Sequence, residues 1–264
     1  MKRFSVFHLP VMSFYSLDFY RDVFLHWRGT GFACLLFLLA VCWAPFAIDF
    51  HFRLADVIRD EAPKFVSQIP KITIVDGVAS TEEAKPYFVR EPESGEVLVV
   101  IDTTGSIASL ADAKAKGLVT KTEAIFQKST IETRTFSFHE IKAFEIDKER
   151  VTGWLNVIGK LAAPVIYPLV VAGSFIFRVI QVLIYAAIGM LFASWCKTRM
   201  SYLSLLRLAV VAVTPCIIIK TMFGMFPISL PFAGLWFFLI AMGYLFLAIR
   251  TNCQYEGDAA NEPG

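Results

Sequence analysis

The chain has 264 residues, 56% of them hydrophobic and 14% aromatic, with a formal charge of +2 and a mean hydropathy of +0.58. Soluble domains rarely reach that apolar content, which points to a membrane protein. So small a net charge argues neither for nucleic acid nor for an acidic partner, and its distribution says more than its sum.

Residues 1–28 read as a cytoplasmic, interfacial segment. Ser16 or Asp18 is placed to cap a helix start. Phe19, Tyr20, Val23, Phe24 and Trp27 recur at spacings of three and four beside Arg21, Asp22 and Arg28. Such a stripe describes an amphipathic helix lying along a membrane surface, an ordinary juxtamembrane anchor. Gly29 to Ile48 is twenty residues without a charge, long enough to cross the hydrocarbon core. Pro45 directly after Ala44 opposes signal cleavage there, so 29–48 is expected as a retained first transmembrane helix.

Residues 49–160 change character, with fifteen Lys/Arg against eighteen Asp/Glu. About 110 residues suffice for a modest core of their own. Runs rich in Val, Ile, Thr and Phe predict strands over Lys71–Val75, Pro86–Arg90, Glu96–Asp102, Leu118–Gln127 and Thr130–Phe138. Asp76-Gly77 and Ser94-Gly95 supply turns. Leu54–Val66 reads as a helix, and Ile107–Ala115 as a short helix ended by Gly117. The segment is expected to be an extracytoplasmic α+β domain with a largely antiparallel sheet. The five cysteines, Cys34, Cys42, Cys196, Cys216 and Cys253, all lie outside it and match no zinc or CxxC spacing.

Leu161 to Cys196 carries one charge, Arg178, in thirty-six residues, a length open to one crossing or two. The excess of Lys and Arg on cytoplasmic loops favours one: a single crossing puts Lys197 and Arg199 on the same side as Lys2, Arg3, Arg21 and Arg28. Arg178 then lies about 28 Å from Lys197 along a helix, near the outer headgroups. Leu161–Phe177 is expected as the top of a long helix kinked at Pro164 and Pro168, or as an apolar stretch at the outer interface. A third helix is predicted over 202–223, with Arg207 near its inner end, and a fourth over 228–249, stopped by Arg250. The linker Gly224–Pro227 makes these two a tight hairpin. The tail 250–264 is cytoplasmic, and its short acidic part Gln254–Gly264 is expected to lack structure.

The fold class that follows is a polytopic α-helical membrane protein of about four transmembrane helices with an inserted extracytoplasmic α+β domain, both termini cytoplasmic. Its partner is the lipid bilayer, with a membrane-protein partner or a homo-oligomer open and no nucleic acid expected.

Several pieces stand in a familiar order: SFYSLDFYRDV before the first helix, then KITIVDG, PYFV, VVIDTTG, GLVTKTEAIF, LLRLAVVAVTP and GYLFLAI. From about Ser13 to Arg250 the chain resembles a bacterial family of integral membrane proteins of unknown function, some of whose members are labelled maltodextrin-utilisation proteins. The resemblance implies a soluble domain bracketed by helices and a bacterial inner-membrane location. It implies no active site.

Chemistry-bearing motifs are sparse. Asp102-Thr103-Thr104-Gly105 invites comparison with the Asp-Thr-Gly of aspartic proteases, but Thr104 interrupts it and no second copy exists to form the dyad. It also falls short of the Asp-Lys-Thr-Gly-Thr of phosphorylated ATPases, since Thr103 replaces the lysine. The favoured reading is structural: Asp102 caps the turn after a buried strand and Gly105 takes a positive φ. Arg178, Arg207 and Lys220 are cations associated with membrane segments, where ionisable groups are functional candidates. No Asp or Glu in the later helices is there to pair with them, which favours interfacial anchoring over an ion relay. Thr214-Pro215 is expected to bend the third helix, the threonine hydroxyl taking up the freed carbonyl. The histidines His8, His26, His51 and His139 show no metal-site spacing. No catalytic, metal or cofactor residue is assigned. The leading function is non-enzymatic: an outer domain that binds a ligand, an envelope component or a membrane partner. An oligomeric transporter, channel or transporter accessory subunit linked to sugar utilisation is the alternative.

Overall fold

The computed structural model describes residues 8–27, 29–129, 132–196, 198, 200–226 and 231–261, with side chains through Cys253. Lys2, Arg3, Arg28, Lys197 and Arg199, on which the orientation argument leans, and Pro227 of the hairpin linker lie outside the described residues. Two compact units result: residues 1–49 with 164–264, and residues 50–163.

The first unit is helical. A short α1 (Leu9–Met12) precedes α2 (Leu17–His26), whose start is capped by Ser16 Oγ accepting from the Phe19 amide at 3.2 Å. The apolar stripe of α2 does not rest on lipid as its sequence suggests. Phe19 and Val23 are fully buried, and Tyr20 and Trp27 nearly so, because the stripe packs against α7 (Tyr202–Gly224) and α8 (Ala233–Asn261). Aromatic side chains of this size lose more water by docking on a ready-made helix pair than by lying flat at an interface. Helix α7 is the centre of the unit: from Ser204 to Ile217 every residue but Arg207 is buried.

Four helical stretches among the described residues are long and apolar enough to cross a membrane: 32–66, 148–195, 202–224 and 233–253. In the first, α3 (Phe32–Asp56) runs past Ile48, continues through a π-helical turn (Val57–Glu61) and ends in α4 (Ala62–Val66). Pro45 is accommodated inside α3, and Leu54–Val66 is thus an extension of the first helix rather than a separate one. The stretch with the one-or-two ambiguity is a single helix, α6 (Lys148–Trp195), 48 residues or about 72 Å long, with Pro164 and Pro168 inside it. A continuous helix of this kind passes through any slab once. Past Arg250, α8 stays helical to Asn261. Asn252 is buried and donates to the Ala248 carbonyl at 2.8 Å, and the stretch from Gln254, expected to lack structure, is helical through Asn261.

The second unit is β-rich. Antiparallel β1 (Ile72–Val75) sits between β2 (Val78–Thr81) and β8 (Ala143–Ile146) in a three-stranded sheet. A five-stranded sheet takes β3 (Tyr87–Arg90), β4 (Val97–Ile101), β5 (Gly117–Val119), β6 (Glu123–Gln127) and β7 (Thr133–Ser137) in that order. The pairs are antiparallel except β4–β5, which is parallel and bridged by the one-turn α5 (Leu110–Ala113).

Side-chain alternation explains the apolar run of β4, which is buried on both faces. Val100 packs with Ala113 and Leu118, while Ile101 faces Ile72, Ile74 and Ala124. Leu118–Gln127, read as one strand, is two: Thr120 Oγ1 accepts the Thr122 and Glu123 amides and turns the chain between β5 and β6. The short helix is ended by Lys114 in the left-handed region (φ 48°), not by Gly117, which opens β5.

Candidate functional site

Each predicted position has a defined place. Asp102 follows β4 and is wholly buried. Its Oδ1 accepts the Thr104 amide at 2.8 Å and the Thr104 hydroxyl at 2.6 Å, and its Oδ2 accepts the Ile107 amide at 2.6 Å. Thr103 Oγ1 lies 3.0 Å from Thr81 Oγ1, tying the loop to β2. Gly105 has φ +84° with open space around it, so backbone conformation rather than crowding requires glycine there. Burial alone would raise the Asp102 pKa, but the hydrogen bonds from Thr104, Ile107 and Ser106 outweigh it and hold the carboxyl below its usual value. Both oxygens are engaged by the loop that Asp102 organises. The arrangement is that of a turn cap.

In the helical unit Arg207 donates to the Trp27 carbonyl, to the Leu203 carbonyl at 3.3 Å and to Ser204 Oγ at 3.2 Å. It therefore fastens the C-terminal end of α2 to α7. Thr214 Oγ1 donates to the Val210 carbonyl at 3.0 Å. Pro215 frees the carbonyl of Val211, four residues back, so the hydroxyl bonds one residue away from the carbonyl it was expected to take up, and α7 is continuous across the proline. This is the ordinary back-bond of a helical threonine.

Arg178 and Lys220 come together. Both line a cleft of about 450 Å³ in the helical unit, formed by α3, α6 and α7. Leu39, Phe46, Phe177 and Ile217 give it apolar walls, and Cys42, Trp43, Ser174 and Thr221 give it polar atoms. The volume is in the range of small-molecule sites, and the mix of apolar walls with a few polar groups is theirs too. Among the described residues no Asp or Glu lines it. Between Leu161 and Arg250 the sequence has six Lys/Arg and no acidic residue.

The cleft is braced. Trp43 Nε1 donates to Ser174 Oγ at 2.9 Å, and Tyr167 Oη to the Ala40 carbonyl at 2.8 Å, joining α3 to α6. Arg178 Nη1 donates to Gln181 Oε1 at 2.5 Å, while Gln181 Nε2 donates to Tyr185 Oη at 2.6 Å. The tyrosine thereby fixes which end of the amide faces the guanidinium. The Arg178 guanidinium also lies 5.9 Å from the centre of the Phe177 ring. Sequence alone names Arg178 and Lys220 separately. It misses Cys42, Trp43, Ser174 and Thr221, whose only signal is that they are polar atoms on otherwise apolar helices.

A second concavity, about 290 Å³, lies in the β-rich unit beside the π-helical turn and includes Ile58, Pro63, Lys148 and Asn156. Among the described residues no group of three His, Cys, Asp or Glu is placed to hold a metal ion.

A family profile described as "Protein of unknown function (DUF1189)" matches residues 7–249. An uncharacterized protein of Rickettsia prowazekii (strain Madrid E) is 25% identical over 114 residues; that match covers 39% of this chain and 39% of the relative's length. No solved structure matches.

Proposed function

The chain belongs to the DUF1189 family, and from that premise we propose that it is a membrane-embedded binding protein whose helices hold a cationic cleft for an anionic ligand. The observation that carries the reading is the convergence of Arg178 and Lys220 on one braced cleft with no carboxylate among the described residues that line it. Each cation gives up part of its hydration to stand against the apolar walls of the cleft. Two in one cleft repel each other as well, so a bound anion offsets both costs.

In this reading helices 32–66, 148–195, 202–224 and 233–253 cross the bacterial inner membrane. The β-rich unit, inserted between the first and second crossings, then stands outside the cytoplasm, and both termini stand inside. Four crossings return the chain to its starting side, and Arg21, Arg207 and Arg250 fall on the cytoplasmic side with the N-terminal basic residues. The β-rich unit is tied to helices at both ends, so a partner or envelope component bound to it would bias the helices it is joined to.

The test uses Cys42, which lines the cleft. In a full-length version with the other four cysteines replaced by serine or alanine, Cys42 is reacted with an anionic and a cationic methanethiosulfonate of equal size. The expected result is a rate ratio favouring the anionic reagent at least tenfold, lost on Arg178→Gln with Lys220→Gln. Equal rates for both reagents in the parent would sink the reading.

A further inference from the structure

Resting on the cationic-cleft reading, we propose that the ligand is a phosphate-bearing membrane amphiphile, with its headgroup between Arg178 and Lys220 and its hydrocarbon against the apolar walls. Four observations converge on this class.

The first is donor chemistry. A guanidinium carries five N–H donors, of which Gln181 takes one. Lys220 is exposed and brings three more. Ser174 accepts from Trp43 through its oxygen and keeps its own hydroxyl hydrogen to donate. That set is rich in donors and suits a group with several acceptor oxygens; a guanidinium in particular matches phosphate in a two-point fork.

The second is size. A cleft of about 450 Å³ is far larger than a bare phosphate needs and falls in the range of ligands with a substantial apolar body.

The third is access. Phe177 lines the cleft and is 64% exposed, while Ile176, Ile180 and Met222 nearby along the same helices are more than half exposed. The helix surface beside the cleft is therefore rich in exposed apolar side chains. A strongly hydrated free anion would cross such a surface poorly, whereas an amphiphile already in the bilayer enters sideways.

The fourth is level. Arg178 stands seventeen residues before Trp195 and Lys220 eighteen after Tyr202, distances of about 26 Å and 27 Å along their helices. Against a hydrocarbon core of about 30 Å, both cations reach the headgroup layer opposite the 195–202 connection. Trp43, with one apolar and one hydrogen-bonding edge, fits that layer as well.

The test is native mass spectrometry of the full-length chain in detergent micelles, titrated in parallel with phosphatidylglycerol, with inorganic phosphate and with uncharged diacylglycerol. The expected result is one phosphatidylglycerol retained per chain. Its apparent affinity should fall at least tenfold in Arg178→Gln/Lys220→Gln and survive in Arg178→Lys/Lys220→Arg, which keeps the charge and controls for folding. Diacylglycerol should not compete. Binding of inorganic phosphate as tight as that of phosphatidylglycerol would overturn the lipid assignment while leaving an anion cleft in place. Equal retention of phosphatidylglycerol by the double Gln variant would show only the general lipid annulus and overturn the site. Failure of every anion to bind would remove the cationic-cleft reading together with this one.

Discussion

If Asp102 is a turn cap, its replacement loosens one loop by a calculable amount and does nothing else first. Asp102→Asn keeps the shape of the side chain but puts an NH2 where one acceptor oxygen stood. Either the Ile107 amide, now 2.6 Å from Oδ2, or the two Thr104 donors on Oδ1 must then face a donor. Hydrogen bonds to charged groups contribute roughly 1.5–3 kcal/mol each, and a buried donor left without a partner costs about 1–3 kcal/mol. The surviving bonds also weaken when the acceptor becomes neutral. Allowing for relaxation of the loop, the local loss comes to about 2–4 kcal/mol, or roughly 30- to 1,000-fold in opening. Hydrogen exchange of the full-length protein in micelles reads this directly, since the Thr104 and Ile107 amides exchange through local opening.

The sign with pH follows from the lowered pKa. A carboxyl held below its ordinary value of about 3.9 contributes its stability above that pH and loses it as pH falls toward the folded value. Loop protection in the parent should therefore decline below about pH 4, and the Asn variant should show no such decline. Parent-like exchange at Thr104 and Ile107 in the Asn variant would refute the capping account. So would a lost ligand signal with exchange unchanged, because the carboxylate would then be acting on something other than its own loop.

Gly117→Ala puts a methyl 3.1 Å from the Phe126 ring and 3.2 Å from Val99 Cγ2 at the β4–β5–β6 junction. Overpacking of this kind should cost about 1–3 kcal/mol, against a gain of about 0.4–1 kcal/mol from the stiffer unfolded chain. Thermal unfolding should show a net loss that Phe126→Leu partly restores. Arg207→Gln removes the charged donor at the Trp27 carbonyl and should raise hydrogen exchange across 17–27 by about tenfold or more, with the β-rich unit unaffected; uniform change over the whole chain would contradict a local fastening. For orientation, single cysteines at Ser94, Thr198 and Asn261 in a cysteine-free background, exposed to an impermeant reagent on intact cells, should label at Ser94 alone. Labelling at Thr198 would reverse the side assigned to the 195–202 connection and, with it, the level assigned to the cleft.

How far the residues alone lead differs between the two units. The strands Ile72–Val75, Tyr87–Arg90 and Val97–Ile101 are apolar enough to be found by pattern. Val78–Thr81 and Ala143–Ile146 are not. VAST and AFEI become strands because β1 offers both its edges to them, and pairing of that kind is absent from local composition. The break at Thr120–Thr122 escaped for a related reason, since a threonine suits a strand until its hydroxyl caps a turn. The cap at Asp102 was legible because every partner of its carboxylate lies within six residues, whereas the Thr103–Thr81 tie to β2 was not.

Apolar length and the placing of charge are properties of the chain read in order, and they were enough to mark four long helices, a polar insertion and the lack of any acid between Leu161 and Arg250. Which face of a helix meets protein depends instead on what folds beside it. The aromatic stripe of α2 is equally suited to lipid and to another helix, and only the packed α7–α8 pair decides for burial. Arg178 and Lys220 are 42 positions apart on different helices, each suited by itself to reach for the nearest headgroups. Their meeting in one cleft is set by the ties that draw α3 to α6 and by the place of α7 beside them. Side-chain chemistry is local and survives in a one-dimensional sequence, but a site is a set of distances between distant residues, and those exist only once the helices have packed.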